Sequence, residues 1–354
     1  MDLRAGVDAQ REATHFKNRV LALLDTFIQK QPSSPLIIRL ILPLVELITS
    51  TSSDEQQLQD KAKSLLQSRV GKSKEVPSVV DTTQATQVLD DLHTRARKAH
   101  SPDASALLKQ CSLYLVKVLL HSDAELPILV AYRQSLADFI SRKNSSLTPN
   151  FFQDFFRLHP ILAWNLRSDL IELSSKAVNV YRRCQVFQLL QILVARLPTM
   201  VIVALLSVIC TLLINLQGER SEEISDFMPS LRRSLFDFLC DETISLNTHQ
   251  MKDLLKVGML AIRQTKKALS PGLIHTVWKP EIWVELAASK RFKPSPSLQA
   301  MCKQMARISQ SPSITETTET GNKVAITKRK VDECDGDAAS KGGIRKGSKK
   351  SKVA

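Results

Sequence analysis

The side chains that could do chemistry in this chain fall into a few small groups. Val70-Gly71-Lys72-Ser73 reads like the end of a phosphate-binding loop. Such a loop needs a second glycine five residues before Gly71, and Leu66 stands there with no strand ahead of it, so the match reads as a coincidence in a linker. A two-metal polymerase or nuclease needs carboxylates that converge on a pair of cations. The Asp-x-Asp step, Asp335 and Asp337, lies in a polar tail, and Asp90-Asp91 sits on a helix where neighbouring side chains diverge. The seven histidines (His15, His93, His100, His121, His159, His249, His275) form no HExxH and have no close cysteine, so each is read as a surface or helix-end residue. Cys111, Cys184, Cys210, Cys240, Cys302 and Cys334 are widely spaced, without CxxC, which gives neither a disulfide framework nor a zinc site and fits a reducing compartment. There is no GxSxG elbow. The expectation is a protein with no catalytic site, no metal, no cofactor and no small-molecule substrate.

Positive charge is the signal that remains. The formal net charge is +14, with a pI near 9.6, which favours a polyanionic partner. Residues 311–354 hold ten Lys/Arg against six Asp/Glu, so most of the excess lies in residues 1–310. It is clustered there at Arg95/Arg97/Lys98, Arg142/Lys143, Arg182/Arg183, Arg232/Arg233, Lys266/Lys267 and Lys290/Arg291/Lys293. Several clusters fall at predicted helix C-termini, where the helix dipole favours a cation whatever the function. The competing reading is that stacking aligns some of these ends into a phosphate-contacting strip with salt-dependent, sequence-tolerant binding. Arg95, Arg97, Lys98, Lys290, Arg291 and Lys293 are the candidates for nucleic-acid contact. In the tail, Lys328-Arg329-Lys330 and the later Arg345, Lys346, Lys349 and Lys350 form two clusters like a bipartite nuclear-import signal or a nucleic-acid arm.

The elements that must position these groups are helices. Five of the ten glycines lie in the last 34 residues, which leaves too few elsewhere for the tight turns of a β-rich fold. Phe16, Val20, Leu23, Leu24, Phe27 and Ile28 repeat at the spacing of an amphipathic helix, and 36–48 follow as a second helix, interrupted or kinked at Pro43. The same grammar recurs to about residue 310, with Ser101-Pro102 and Thr148-Pro149 as helix starts that place a capping hydroxyl before a proline. Phe151, Phe152, Phe155 and Phe156 share one helix face, read as core packing rather than a base-stacking platform. Residues 197–216 carry no charge over twenty positions, long enough for a bilayer. Ser207, Thr211 and Asn215 put a polar stripe along that segment and no aromatic girdle frames it, so a buried helix of a non-membrane protein is expected. The fold class is therefore all-α: helical pairs of about 40 residues in an armadillo/HEAT-like helical-repeat solenoid over residues 1–310. An irregular helical bundle is the alternative. Residues 311–354 are too polar to repay ordering and read as a disordered basic tail.

Residues 15–48, 92–120 and 291–305 resemble the C-terminal third of the Myb-binding protein 1A / DNA polymerase phi family in its fungal form, and the resemblance covers most of 10–310. It implies a protein of the nucleus and nucleolus that binds ribosomal DNA or pre-rRNA and nucleolar or transcription proteins. It further implies a role in regulation of rRNA transcription and ribosome biogenesis. Family members are much longer, so the chain is expected to be a truncated gene model or a separate C-terminal product. The functional expectation is a non-catalytic scaffold. A DNA-directed DNA polymerase, carried by the family name alone, and a transport adaptor of the karyopherin type are the alternatives.

Overall fold

The computed structural model describes residues 3–50, 55–197, 215–269 and 271–310. The uncharged stretch from 198 to 214, Asp335 and Asp337, Cys334 and the whole tail with its two basic clusters lie outside the described residues. The chain divides into two units, Met1–Ser313 and Ile314–Ala354, and every described helix belongs to the first.

Every regular element among the described residues is helical. In order they are α1 (Leu3–Lys30), α2 (Leu36–Ser50), α3 (Gln56–Ser64, running on into a π-helical turn, Leu65–Val70), α4 (Thr82–Ala96), α5 (Pro102–His121) and α6 (Glu125–Ser141). Then come α7 (Pro149–Leu158), α8 (Pro160–Trp164), α9 (Arg167–Ser175), α10 (Val180–Ala195), α11 (Asn215–Cys240), α12 (Thr248–Ala268), α13 (Pro271–Trp278), α14 (Pro280–Ala288) and α15 (Pro296–Gln310). Their starts follow from side chains that satisfy the free N–H groups of a first turn. Asp81 accepts from the Gln84 N–H, Ser101 from Ala104 and Asn179 from Arg182, while Asn247 and Gln250 form a reciprocal capping box. Thr148 differs from the expectation: its hydroxyl makes no cap hydrogen bond, and α7 begins on Pro149 alone. Pro43 lies inside α2 without ending it.

The helices form two layers. In the front layer α2, α4, α6, α9, α11 and α13 pack each against the next, and α14 continues it through an edge-on contact of Phe236 with Trp283. Behind them α1, α3, α5, α7, α10, α12 and α15 stack in the same order. Side chains that bond between neighbouring pairs record the repeat length. Arg69–Asp25, Arg95–Glu46, Lys109–Asp154 and Arg133–Asp169 join residues 44, 49, 45 and 36 apart. This is an all-α helical-repeat solenoid, with pairs close to the length read from the sequence.

The core runs between the layers. Phe151, Phe152, Phe155 and Phe156 are all buried; Phe155 stacks on Tyr132 at 3.8 Å and Phe152 meets Phe139 at 5.3 Å. Further along, Phe187 stacks on Phe238 at 5.6 Å, so rings link α6, α7, α10 and α11. Rings of this size bury about 150–250 Å² each and dominate such a core. His93 is also buried, contrary to its surface reading. Its two ring nitrogens meet the hydroxyls of Ser135 and Ser112, each at 2.8 Å. Burial, then the nearby Arg97 charge, pushes its pKa down to about 3, so the ring is neutral. Gly71 of the apparent phosphate loop packs on α5, where an added Cβ would lie 2.4 Å from the Gln110 side chain. Its backbone is ordinary helical (φ −67, ψ −25), so the close approach of the Gln110 side chain, not a phosphate cradle, accounts for a glycine here.

Candidate nucleic-acid interface

Alternation between layers gives the solenoid two edges. On one, the chain passes from a front helix to a back helix through residues 97–101, 142–148, 176–179, 241–247 and 289–295, and also through 51–55, of which Glu55 alone is described. The five described turns touch in succession. The Ser146 N–H donates to the Arg97 carbonyl at 3.4 Å and the Val178 N–H to the Ile140 carbonyl at 3.0 Å. Arg182 donates to the carbonyls of Ser145 and Leu147, Arg183 lies 4.1 Å over the Phe238 ring, and Arg291 reaches the 241–244 turn. The candidate residues Arg95, Arg97 and Lys98 therefore share an edge with Lys290, Arg291 and Lys293, at its two ends, with Arg142 and Lys143 between.

Charge separates this edge from the other. Its five described turns carry Arg97, Lys98, Arg142, Lys143, Lys176, Lys290, Arg291 and Lys293 against Asp241 and Glu242, and the connection 51–55 adds Asp54 and Glu55. On the opposite edge the connections 31–35, 71–81, 122–124 and 196–214 carry Lys72, Lys74 and Arg196 against Glu75, Asp81 and Asp123. Positive charge is thus in excess on this edge and balanced on the other.

Within the strip, arginine and lysine are used differently. Arg291 donates to three carbonyls at the end of α11: Leu239 at 3.3 Å, Asp241 at 2.7 Å and Ile244 at 2.5 Å. It closes the acceptors that a helix C-terminus leaves open. Arg182 does the same for the 142–148 turn and lies 4.3 Å over the Phe139 ring. Arg95 pairs with Glu46, Arg142 with Asp138, and Arg97 with the Thr94 hydroxyl. A planar fork of five donors suits such multiple acceptors. Lys98, Lys143, Lys290 and Lys293 are exposed, and their ammonium groups form no ion pair among the described residues. Lys176 is paired with Glu172. The groups free to meet a phosphate are four lysines. Lys143 is not among the candidates read from the sequence, whereas Arg95 and Arg291 are, and both are engaged within the fold.

Two basic pairs lie away from helix C-termini: Arg182 and Arg183 are in the first turn of α10, and Arg232 lies within α11, where its guanidinium donates to the Val277 carbonyl. The first two turns of the strip enclose a cleft of about 450 Å³, lined among others by His100, Ser101, Lys109, Ser146, Thr148 and Asn150. Among the described residues no three His, Cys, Asp or Glu side chains gather as a metal site would require, and no helix is long and apolar enough to cross a membrane. At Asp90, burial raises the pKa and the Arg97 charge opposes it.

Comparison with known proteins bears on the same repeats. A family profile described as Myb-binding protein 1A-like, TPR repeats, matches residues 31–203. The repeats of this stretch resemble those of Myb-binding protein 1A. The match runs from α2 through α10, so it covers the first three of the five turns that make the basic edge. Among curated proteins, the Myb-binding protein 1A-like protein of Danio rerio is 27% identical over 44% of this chain and 14% of its own length. Myb-binding protein 1A of Homo sapiens is 25% identical over 44% of this chain and 15% of its own length. The chain thus spans a small part of the Myb-binding protein 1A relatives it matches. No solved structure matches it.

Proposed function

We propose that this chain is a non-catalytic helical-repeat scaffold of the nucleus, working in the nucleolus, whose front-to-back edge holds ribosomal DNA or pre-rRNA by its phosphates. Its helical faces hold nucleolar or transcription proteins, and through both it acts in regulation of rRNA transcription and ribosome biogenesis. The observation that carries this reading is the one-sided charge: eight cationic side chains against four acidic ones in the front-to-back connections of a single edge, and an even balance on the other. Unpaired lysines on exposed turns are point charges that neutralise phosphates without reading bases. The relatives' name describes them as binding Myb, and a broad two-layer helical surface suits protein partners. The division into a repeat domain, 1–310, and a basic tail, 311–354, with import signals at Lys328–Lys330 and Arg345–Lys350, belongs to the same proposal.

The test is chromatin crosslinking of the tagged chain expressed from its own locus. Enrichment over the ribosomal repeats is the expected outcome, and loss of that enrichment in a chain with Lys98, Lys143, Lys290 and Lys293 reversed to glutamate ties it to the edge. Absence of enrichment at full protein level would overturn the rDNA assignment. A transport adaptor is separated by deleting residues 323–352: an adaptor keeps its partners and location, whereas the scaffold loses nuclear retention. Metal-dependent primer extension by the purified chain would establish the polymerase reading instead.

A further inference from the structure

The basic edge carries a second sequence feature. Ser101-Pro102, Thr148-Pro149 and Ser295-Pro296 are Ser/Thr-Pro steps, and all three stand at the ends of front-to-back turns, where α5, α7 and α15 begin. Ser101 and Thr148 are exposed and Ser295 is half-buried. The backbone is extended at Ser101 (φ −109, ψ 142) and at Thr148 (φ −118, ψ 160), as the following proline demands. The Thr148 hydroxyl is committed to no cap, and Ser145 to Thr148 form an irregular stretch that a modifying enzyme could take up in extended form. Lysines accompany each site: Lys98 precedes Ser101 by three residues, Lys293 precedes Ser295 by two, and Ser101 and Thr148 face one cleft with Lys109 and His100.

We propose that Ser101, Thr148 and Ser295 are sites of proline-directed phosphorylation, and that the modification switches the edge off as a nucleic-acid interface. The inference rests on the polyanion reading of this edge. The step is an ordinary phosphoryl transfer from ATP: the hydroxyl oxygen bonds to the γ-phosphorus, the bond from that phosphorus to the bridging oxygen of ADP breaks, and the hydroxyl proton leaves through the kinase's base. Charge decides the consequence. Eight cations against four acids leave an excess of four on the edge connections. Each phosphate brings about −1.5 to −2, so three of them outweigh that excess. They also offer Lys98 and Lys293 the anion that a nucleic-acid phosphate would otherwise supply. The fold accommodates the added charge, because negative groups are favoured at the start of a helix.

The chain contains its own control. Three further Ser-Pro steps stand off this edge's described turns: Ser34-Pro35 lies in the 31–35 turn, on the opposite edge, and Ser270 and Ser311, each before a proline, lie outside the described residues. The experiment treats the full purified chain with a recombinant proline-directed kinase and ATP, maps phosphate by mass spectrometry, and titrates a fluorescent 24-base-pair duplex and a 24-nucleotide RNA against salt. Phosphate at Ser101, Thr148 and Ser295, with an affinity loss of at least about tenfold and a shallower salt slope, is expected. The variant Ser101→Asn/Thr148→Ala/Ser295→Ala, in which Asn keeps the α5 cap, should bind equally before and after kinase treatment although Ser34 is still modified. Full modification of the three sites with unchanged affinity, or binding by the untreated chain without phosphate entering any of them, would overturn the switch. Failure of the untreated chain to bind either nucleic acid would instead remove the polyanion reading, and the switch with it.

Discussion

Replacing Lys98, Lys143, Lys290 and Lys293 together by glutamine tests the edge where its charge is free. The four side chains are exposed on turns and form no ion pair among the described residues, so the substitution removes charge while leaving the helices and their caps in place. Each cation that neutralises a duplex phosphate contributes about 0.9 to the slope of log affinity against log salt, so four contribute about 3.6. Over a fourfold rise in salt, from about 50 to about 200 mM, that part of the slope amounts to roughly 150-fold in affinity. The quadruple variant should therefore bind a 24-base-pair duplex far more weakly at low salt, and its salt dependence should be flatter by about 3.6. Single variants should each flatten it by about 0.9, whatever the sequence of the duplex. The assay is fluorescence anisotropy at several salt concentrations, with far-UV circular dichroism to confirm unchanged helicity. A slope that stays at the wild-type value in the quadruple variant would refute the assignment of the phosphate contacts to these lysines.

Three more outcomes are expected from the same structure. Arg291→Ala leaves three carbonyls at the end of α11 without their donor, and should cost about 1–3 kcal/mol in urea unfolding while binding of the folded chain changes little; Arg291→Lys should recover only part of it, because one ammonium cannot span the three acceptors. His93 has a folded pKa pushed down to about 3, so the unfolded chain takes up a proton below about 6.5 that the folded chain refuses. Its stabilising effect is complete above that pH and is lost as pH falls, by about 2 kcal/mol between pH 7.5 and 5; urea midpoints that stay level across this range, and that match those of His93→Gln, would contradict it. Phe152→Ala opens the ring cluster between α6 and α7 and should destabilise by about 3–5 kcal/mol, measured by the shift of the thermal midpoint.

Much of the architecture was legible in the residues because helix boundaries are local. Asp81, Ser101, Asn179 and Asn247 cap the helices that follow them, and the four phenylalanines of α7 repeat on one face, so the element and its buried side can be read within one segment. The helical stripe of α1 shows the limit of such reading. Leu21 and Ile28 are buried, whereas Phe16 and Leu23, at the same apolar spacing, remain 68% and 70% exposed because no neighbouring helix among the described residues covers them. Thr148 fits the cap pattern and makes no cap, which residue type alone could not reveal.

The sequence by itself determined that the chain is helical, that its pairs repeat at about 40 residues and that its charge is basic, since periodicity, caps and composition are properties of neighbours along the chain. Which cations are free was decided only by tertiary structure. Lys290, Arg291 and Lys293 look alike as a cluster, yet the end of α11, some fifty residues away in sequence, supplies three carbonyls to Arg291 and none to the lysines beside it. Arg95 likewise meets Glu46 across 49 residues. Bringing distant turns onto one edge is the work of layer stacking, and the acceptors that neutralise a guanidinium come from the neighbouring repeat, where no local pattern announces them.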